Sequence, residues 1–264
     1  MASARLASRW GSVALFLSCA ACVGLAAWRF ADARAPAAVL LLGPLIVVCV
    51  VSAGVLFQGS GVFARPLQAV ATALPQVAIT IDDGPDPACT PALLDALERH
   101  QQRATFFVIG ERAERHPKLL REIARRGHAV ENHSLRHSWA TTFTPVQQLA
   151  AELRRTSELI RAATGRVPRW FRPPVGLLSP RVVSAAQAAG LQLVGWSATA
   201  RDGVDFTGPE RSLARLAKGL TEGAVLVIHD ARPGGPALLN ALLELLHQRK
   251  LRSVTLDELL RGDG

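Results

Sequence analysis

Tyrosine is absent from the 264-residue chain, and aromatic residues make up only 5% of it. A nucleic-acid surface that interleaves stacking rings with basic side chains is therefore not available, despite a formal net charge of +9. The basic residues are scattered along stretches such as "ELRRTSELIR", which read as solvated helix faces with some attraction to anionic lipid. No nucleic-acid partner is expected. Cysteine is scarce as well: of four, Cys19, Cys22 and Cys49 lie in apolar segments and only Cys89 lies beyond, so no disulfide framework can staple the rest of the chain. A glycine-rich phosphate loop is also missing. "TIDDGPDP" offers carboxylates where such a loop needs backbone amides, which argues against a nucleotide-binding fold.

Charge is missing from two N-terminal stretches, residues 11–28 and 35–64. Within the second, residues 36–57 reach the roughly 20 apolar residues that cross a bilayer. The first is richer in small residues and reads equally as the apolar core of a signal peptide, with Arg5 and Arg9 ahead of it. The expectation is a membrane hairpin of one or two helices, over about 11–28 and 36–57, that places the protein at a bacterial inner membrane. Flanking arginines do not decide the side on which the catalytic domain lies. Residues 58–76, with Gly59, Gly61, Pro66 and Pro75, change composition and read as a linker. The domain proper is expected over 77–264.

From Val77 onward, strand-like and helix-like stretches alternate. Strand candidates are "VAITIDD", "ATFFVIG", "HAVENHS", "RWFRPP", "LQLVGWS", "AVLVIHD" and "RSVTL". The helix candidates between them are punctuated by Pro91, Pro117, Pro145 and Pro180 near their starts and by Gly127, Gly165 and Gly190 past their ends. Such βα units imply a parallel sheet, either open and doubly wound or closed into a barrel. Polar residues at the C-terminal ends of five strands favour the barrel, where those ends converge on one face. They are Asp82 with Asp83, His133, Arg172, Trp196 with Ser197, and His229 with Asp230.

Asp82 and Asp83 alternate sides of a strand end, so one can bind a cation while the other stays free; alternatively both cap the following loop. His133 and His137 are four apart, and on a helical turn their imidazoles would share a face. Two His and one Asp make the open pattern of a catalytic Zn²⁺, with a position left for water and substrate. Asp82 can then serve as base, His229 as acid, and Arg172 can hold Asp82 ionised. The blander readings are a core histidine for His229 and an outward ion pair for Arg172.

The ordered motifs "TIDDG" (80–84), "HSLRH" (133–137), "RPPVG" (172–176) and "LVIH" (226–229) resemble the polysaccharide deacetylase family, also called the NodB-homology family or carbohydrate esterase family four. The resemblance spans about residues 77–260. It implies a distorted (β/α) barrel of the NodB-homology type and metal-dependent hydrolysis of an acetamide on a sugar. Asp83, His133 and His137 would be the metal ligands, Asp82 the base, Arg172 its orienting partner and His229 the acid. The backbone amide of Val175 would help to hold the oxyanion, and Leu226 would wall the acetyl pocket. Trp196 and Asp202 are further candidates for the substrate side. Two positions depart from the family pattern. Val175 stands where Tyr is usual, and in "WSATARDG" the usual first Asp becomes Thr199 and the usual Trp becomes Gly203, leaving Asp202. The tuning of His229 then falls to Asp202 or Asp230. The expected function is a membrane-anchored deacetylase, loaded with Zn²⁺ or another divalent metal, acting on an N-acetylated sugar polymer or a lipid-linked sugar. The alternative is a catalytically silent carbohydrate-binding barrel.

Overall fold

The computed structural model describes residues 39–203 and 208–262, together with residues 17, 20–26 and 28–29 ahead of them. Its strands are β1 (Gln76–Gly84), β2 (Ala104–Val108), β3 (Ala129–Asn132), β4 (Trp170–Phe171), β5 (Gln192–Leu193), β6 (Ala198–Thr199), β7 (Val225–His229) and β8 (Arg252–Ser253). They pair in the order β5-β4-β3-β2-β1-β7-β6, with β8 on β1, and every pairing is parallel. This is a curled α/β half-barrel. The single strand expected over "LQLVGWS" is in fact β5 followed by a break, and β6 follows it across the barrel's open seam. The chain just ahead of β1 laces that seam: Leu67 pairs with Val194 and Ala69 with Ala224. The stretch expected as a linker is thus bonded beside the end of β5 and beside the start of β7.

Strand alternation sorts the β1 side chains. Val77, Ile79 and Ile81 face the helices, packed with Leu93, Leu97, Leu238 and Leu242. Those leucines come from the helices Thr90–Arg99 and Gly235–Gln248, whose apolar stripes recur at helical spacing. Ala78 faces inward, into a small cluster with Phe107, Trp170, Val194 and Val225. The same parity sends Thr80 and Asp82 inward, and both are buried. A core built this way has its apolar bulk between sheet and helices, which leaves the barrel's inside free for polar groups.

The membrane hairpin is not borne out. Among the described residues no helix is long and apolar enough to cross a membrane. The helix Val39–Leu56 is interrupted by Pro44. Half of the expected first segment, 11–28, lies outside the described residues. The C-terminal end of Val39–Leu56 is tied to the barrel instead, where Leu178 donates its N–H to the Val55 carbonyl at 3.1 Å.

One interior acid lies on β3, outside the cavity lining. Glu131 is 5% exposed, and its carboxyl accepts the backbone N–H groups of Arg169 at 2.8 Å and Trp170 at 2.7 Å. Burial dominates those bonds and pushes the group up from 4.5 to about 8. A carboxyl raised in the folded state keeps its proton there while the unfolded chain has lost it, so stability must fall as pH rises from about 4.5 to about 8. Glu131→Gln retains an acceptor but no titration. Denaturation at pH 5 and pH 8 should therefore show the variant gaining on the wild type at the higher pH, and parallel profiles would contradict this.

Candidate metal centre and catalytic cavity

The residues at the strand ends converge because of register. Asp82 on β1 pairs with His229 on β7, and Asn132 on β3 pairs with Phe171 on β4, which leaves His133 beside Arg172. A regular strand would send Asp82 and Asp83 to opposite faces. The β1–β2 register instead shifts between Ile81 and Gly84, and Asp83 takes a left-handed backbone with φ 69°. That turn brings the second carboxylate onto the same cavity as the first. Arg112 donates to the Asp83 carbonyl at 2.8 Å, which steadies the turn.

The histidine pair does not sit on a helix. Residues 133–138 form an irregular loop in which Ser134 and His137 both have positive φ, 66° and 53°. The loop closes on itself, since the His137 N–H donates to Ser134 Oγ at 3.1 Å. The two imidazoles end 4.8 Å apart. Their Nε2 atoms lie 3.5 Å (His133) and 3.2 Å (His137) from Asp83 Oδ1. That oxygen is buried and has no hydrogen-bond partner among the described residues. His133 Nδ1 lies 2.7 Å from the Arg172 carbonyl, so it carries the proton and leaves Nε2 as a free lone pair facing the carboxylate. Asp83, His133 and His137 each offer one atom, all within 4.8 Å of one another. An orphaned carboxylate oxygen between two oriented imidazole nitrogens is the donor set that a divalent cation of borderline softness takes, so the residues fit a metal. Burial alone would raise the Asp83 carboxyl. When the imidazoles are protonated, a hydrogen bond from the His133 ring and the charges of His133, His137 and His229 more than offset burial and hold it well below the usual carboxylate range.

Arg172 is fully buried. One of its terminal nitrogens donates to Thr80 Oγ1 and to Asp82 Oδ1, each at 2.7 Å, and the other donates to the Gly195 carbonyl at 2.8 Å. Its guanidinium lies over the Phe107 ring at 4.3 Å. The second Asp82 oxygen stays on the cavity side, 3.9 Å from His133 Nε2. Arg172 is therefore an inward pair to Asp82, not an outward one.

Asp202 takes hold of His229 twice. Its carboxylate accepts the His229 backbone N–H at 2.9 Å and the ring Nδ1 at 2.8 Å. Burial by itself lowers the His229 pKa, but Asp202, reinforced by the charges of Asp82 and Asp83, reverses this and leaves it raised. Asp230, the other candidate for this task, points away: it accepts from Thr90 Oγ1 and from the Ala231 N–H and braces the start of the β1 loop. A Cβ on Gly203 would stand 2.9 Å from the His229 ring, so the place of the usual tryptophan is filled by the imidazole itself.

The cavity, of about 670 Å³, is lined by Asp82, Asp83, His133, His137, Val175, Trp196 and His229. Leu226 is not among its lining residues. It lies on the helix side of β7 with Ile228, and Val227, one residue on, faces the cavity. Counting by twos back from His229 identifies Val227, a parity the motif alone does not express. Sequence reasoning also missed Leu56, Phe57 and Gln58, which line the cavity from the N-terminal side. No local signal marks them, because their place depends on where the chain crosses the barrel mouth.

The sequence model described as polysaccharide deacetylase matches residues 69–194. A peptidoglycan-N-acetylglucosamine deacetylase of Bacillus cereus is 34% identical over 190 residues, 70% of this chain and 88% of that protein. A chitooligosaccharide deacetylase of Bradyrhizobium is 36% identical over 160 residues, 60% and 72% of the respective chains. Among solved structures, a family 4 carbohydrate esterase from Streptomyces lividans in complex with acetate aligns with TM-score 0.63 at 31% identity, covering 67% of this chain and 91% of that one. Peptidoglycan deacetylase PdaC from Bacillus subtilis aligns with TM-score 0.67 at 26% identity, covering 73% and 93%.

Because the Asp82 charge is balanced inside the barrel by Arg172, removal of that partner leaves a buried carboxylate uncompensated. Arg172→Ala should destabilise the fold by about 3–5 kcal/mol, measured by denaturant unfolding. A loss under about 1 kcal/mol, the range of exposed pairs, would show that the pair is not desolvated as described.

Proposed function

The chain belongs to the polysaccharide deacetylase family, and on that premise we propose that it is a metal-dependent hydrolase removing the acetyl group from the nitrogen of an amino sugar in a glycan. The observation that supports this most directly is that two separately held proton-transfer groups line one cavity with the donor cluster. Asp82 is held by Arg172, and His229 is held by Asp202. Zinc is the default cation for the Asp83–His133–His137 set, with other divalent ions of similar preference as substitutes. When bound there, it would supply Lewis acidity to the amide carbonyl and to water.

The chain's own groups divide the remaining work. Asp82, ionised beside Arg172, has one oxygen free to take a proton from the attacking water. Val175 sits at the cavity mouth in a left-handed turn with φ 57°; its backbone N–H is the donor assigned to the oxyanion of the tetrahedral intermediate. His229, protonated through Asp202, returns a proton to the departing amine from Nε2. The Asp202–His229 pair restores the tuning that the altered fourth motif put in question, which counts against the silent-binder reading.

The glycan is read as a polymer of N-acetylated sugars or a lipid-linked sugar. The helix Val39–Leu56 is uncharged, with Leu42, Leu45 and Val48 exposed, and this supports attachment to a membrane surface. Flotation of the full chain with lipid vesicles checks this point, and protein that stays at the bottom of the gradient refutes it.

Purified protein should release acetate from an N-acetylglucosamine oligomer, lose that activity to a chelator and regain it with Zn²⁺. Asp82→Asn should lower kcat by about 10²-fold or more; equal turnover would remove Asp82 from the role of base. The pH profile reports the acid. His229 must be protonated, so activity falls as pH rises through its raised pKa, and Asp202→Asn, by removing the main cause of the upward shift, should move that falling limb to lower pH. An unmoved limb would assign it to another group.

A further inference from the structure

The mouth of the catalytic cavity is closed on one side by chain that precedes the barrel. Leu56 and Phe57, at the end of the Val39–Leu56 helix, both line the cavity and are 60% and 66% exposed. Two large apolar side chains rarely stand open to water beside a sugar site without an apolar group to meet, because contiguous exposed apolar surface marks a contact.

Gln58 fixes this wall in place. Its side chain is buried, and its Nε2 donates to the Gly176 carbonyl at 3.1 Å. A Cβ on Gly176 would overlap Gln58 Nε2 and the Trp196 ring, and one on Gly195 would overlap Gln58 Oε1. The glutamine therefore fills a slot that only two glycines leave open. One of those glycines follows Val175 in its turn, and the other supplies the carbonyl that receives Arg172. A second tie lies close by, from the Leu178 N–H to the Val55 carbonyl. The wall is thus anchored to the same backbone that carries the Val175 amide and the Asp82–Arg172 pair.

We propose that residues 56–58 are a specificity element of the site: Gln58 clips the segment to the Val175–Gly176 turn, and Leu56 with Phe57 present a face for an apolar group attached to the sugar. The substrate class is then an amino sugar bearing an alkyl or isoprenoid substituent, as in a lipid-linked glycan. This deepens the proposed function, and the test separates the two.

Binding of the octyl and methyl glycosides of N-acetylglucosamine is measured by calorimetry on the full chain, below the micelle concentration of the octyl compound. Acetate release is recorded separately on the unsubstituted oligomer. The wild type should bind the octyl glycoside at least about tenfold more tightly, as burial of only part of the chain's methylenes would give. The exposed pair Leu56→Ser with Phe57→Ser should bring the two affinities within about threefold. Gln58→Ala should reduce the octyl preference in the same direction, because it frees the wall. Equal affinities in the wild type, or an undiminished gap in the double variant, would overturn the proposal. Absence of acetate release would overturn the deacetylase reading without touching the binding comparison.

Discussion

The buried Arg172–Asp82 pair is the contact through which the site is organised. A guanidinium with no exposed surface must find its partners inside the barrel; its two terminal nitrogens reach different elements, while Nε has no partner among the described residues. Its bonds reach Thr80 and Asp82 on β1 and the Gly195 carbonyl beyond β5, while its face rests on Phe107 of β2. Its own backbone carbonyl fixes the tautomer of His133. One residue thereby sets the position of the base, the orientation of a metal ligand and the meeting of strands that are far apart in sequence. Such pairs are weak sources of net stability, because desolvation consumes most of the Coulombic gain. Their contribution here is geometric.

Around that pair the backbone accepts strain. Asp83, Ser134, His137 and Val175 all have positive φ, a conformation that costs about 1–3 kcal/mol for residues other than glycine and is most unfavourable for a β-branched one such as Val175. Each of these residues sits on the cavity or on the loop that shapes it. The distortion has a clear effect at Asp83, where it carries onto the cavity a carboxylate that strand alternation would have turned away. The bond from Arg112 to the Asp83 carbonyl, the bond from the His137 N–H to Ser134 Oγ and the packing of Gln58 against Gly176 hold the strained turns in place.

Where the chain departs from the family pattern, the structure compensates by rearrangement. Asp202 grips both the backbone and the ring of His229, and Gly203 leaves the ring the space that a larger residue would take. The departure at Val175 is matched from outside the barrel, by a wall that the N-terminal segment brings across the mouth. The segment that runs from the end of β5 to the start of β7 is continuous with that wall, so bridging of the barrel and shaping of the cavity come from one stretch of chain.

The amino-acid sequence by itself determined the βα alternation, the inward parity of Thr80 and Asp82, and the choice of donors at the strand ends, because these depend on local periodicity and on residue chemistry. It also contained the four ordered motifs. Tertiary structure alone decided that Asp83 turns back toward Asp82, that the histidine pair lies on a left-handed loop instead of a helix, and that Val227 rather than Leu226 faces the cavity. It decided as well that Asp202 holds His229 while Asp230 braces β1, and that residues 56–58 border the cavity. The helix Val39–Leu56 reads as a membrane span from its hydropathy. The docking of its end on the barrel is a fact of packing, which no composition reports. Hydropathy and periodicity register which face a residue prefers, whereas backbone strain, strand register and long-range docking arise only when distant segments meet.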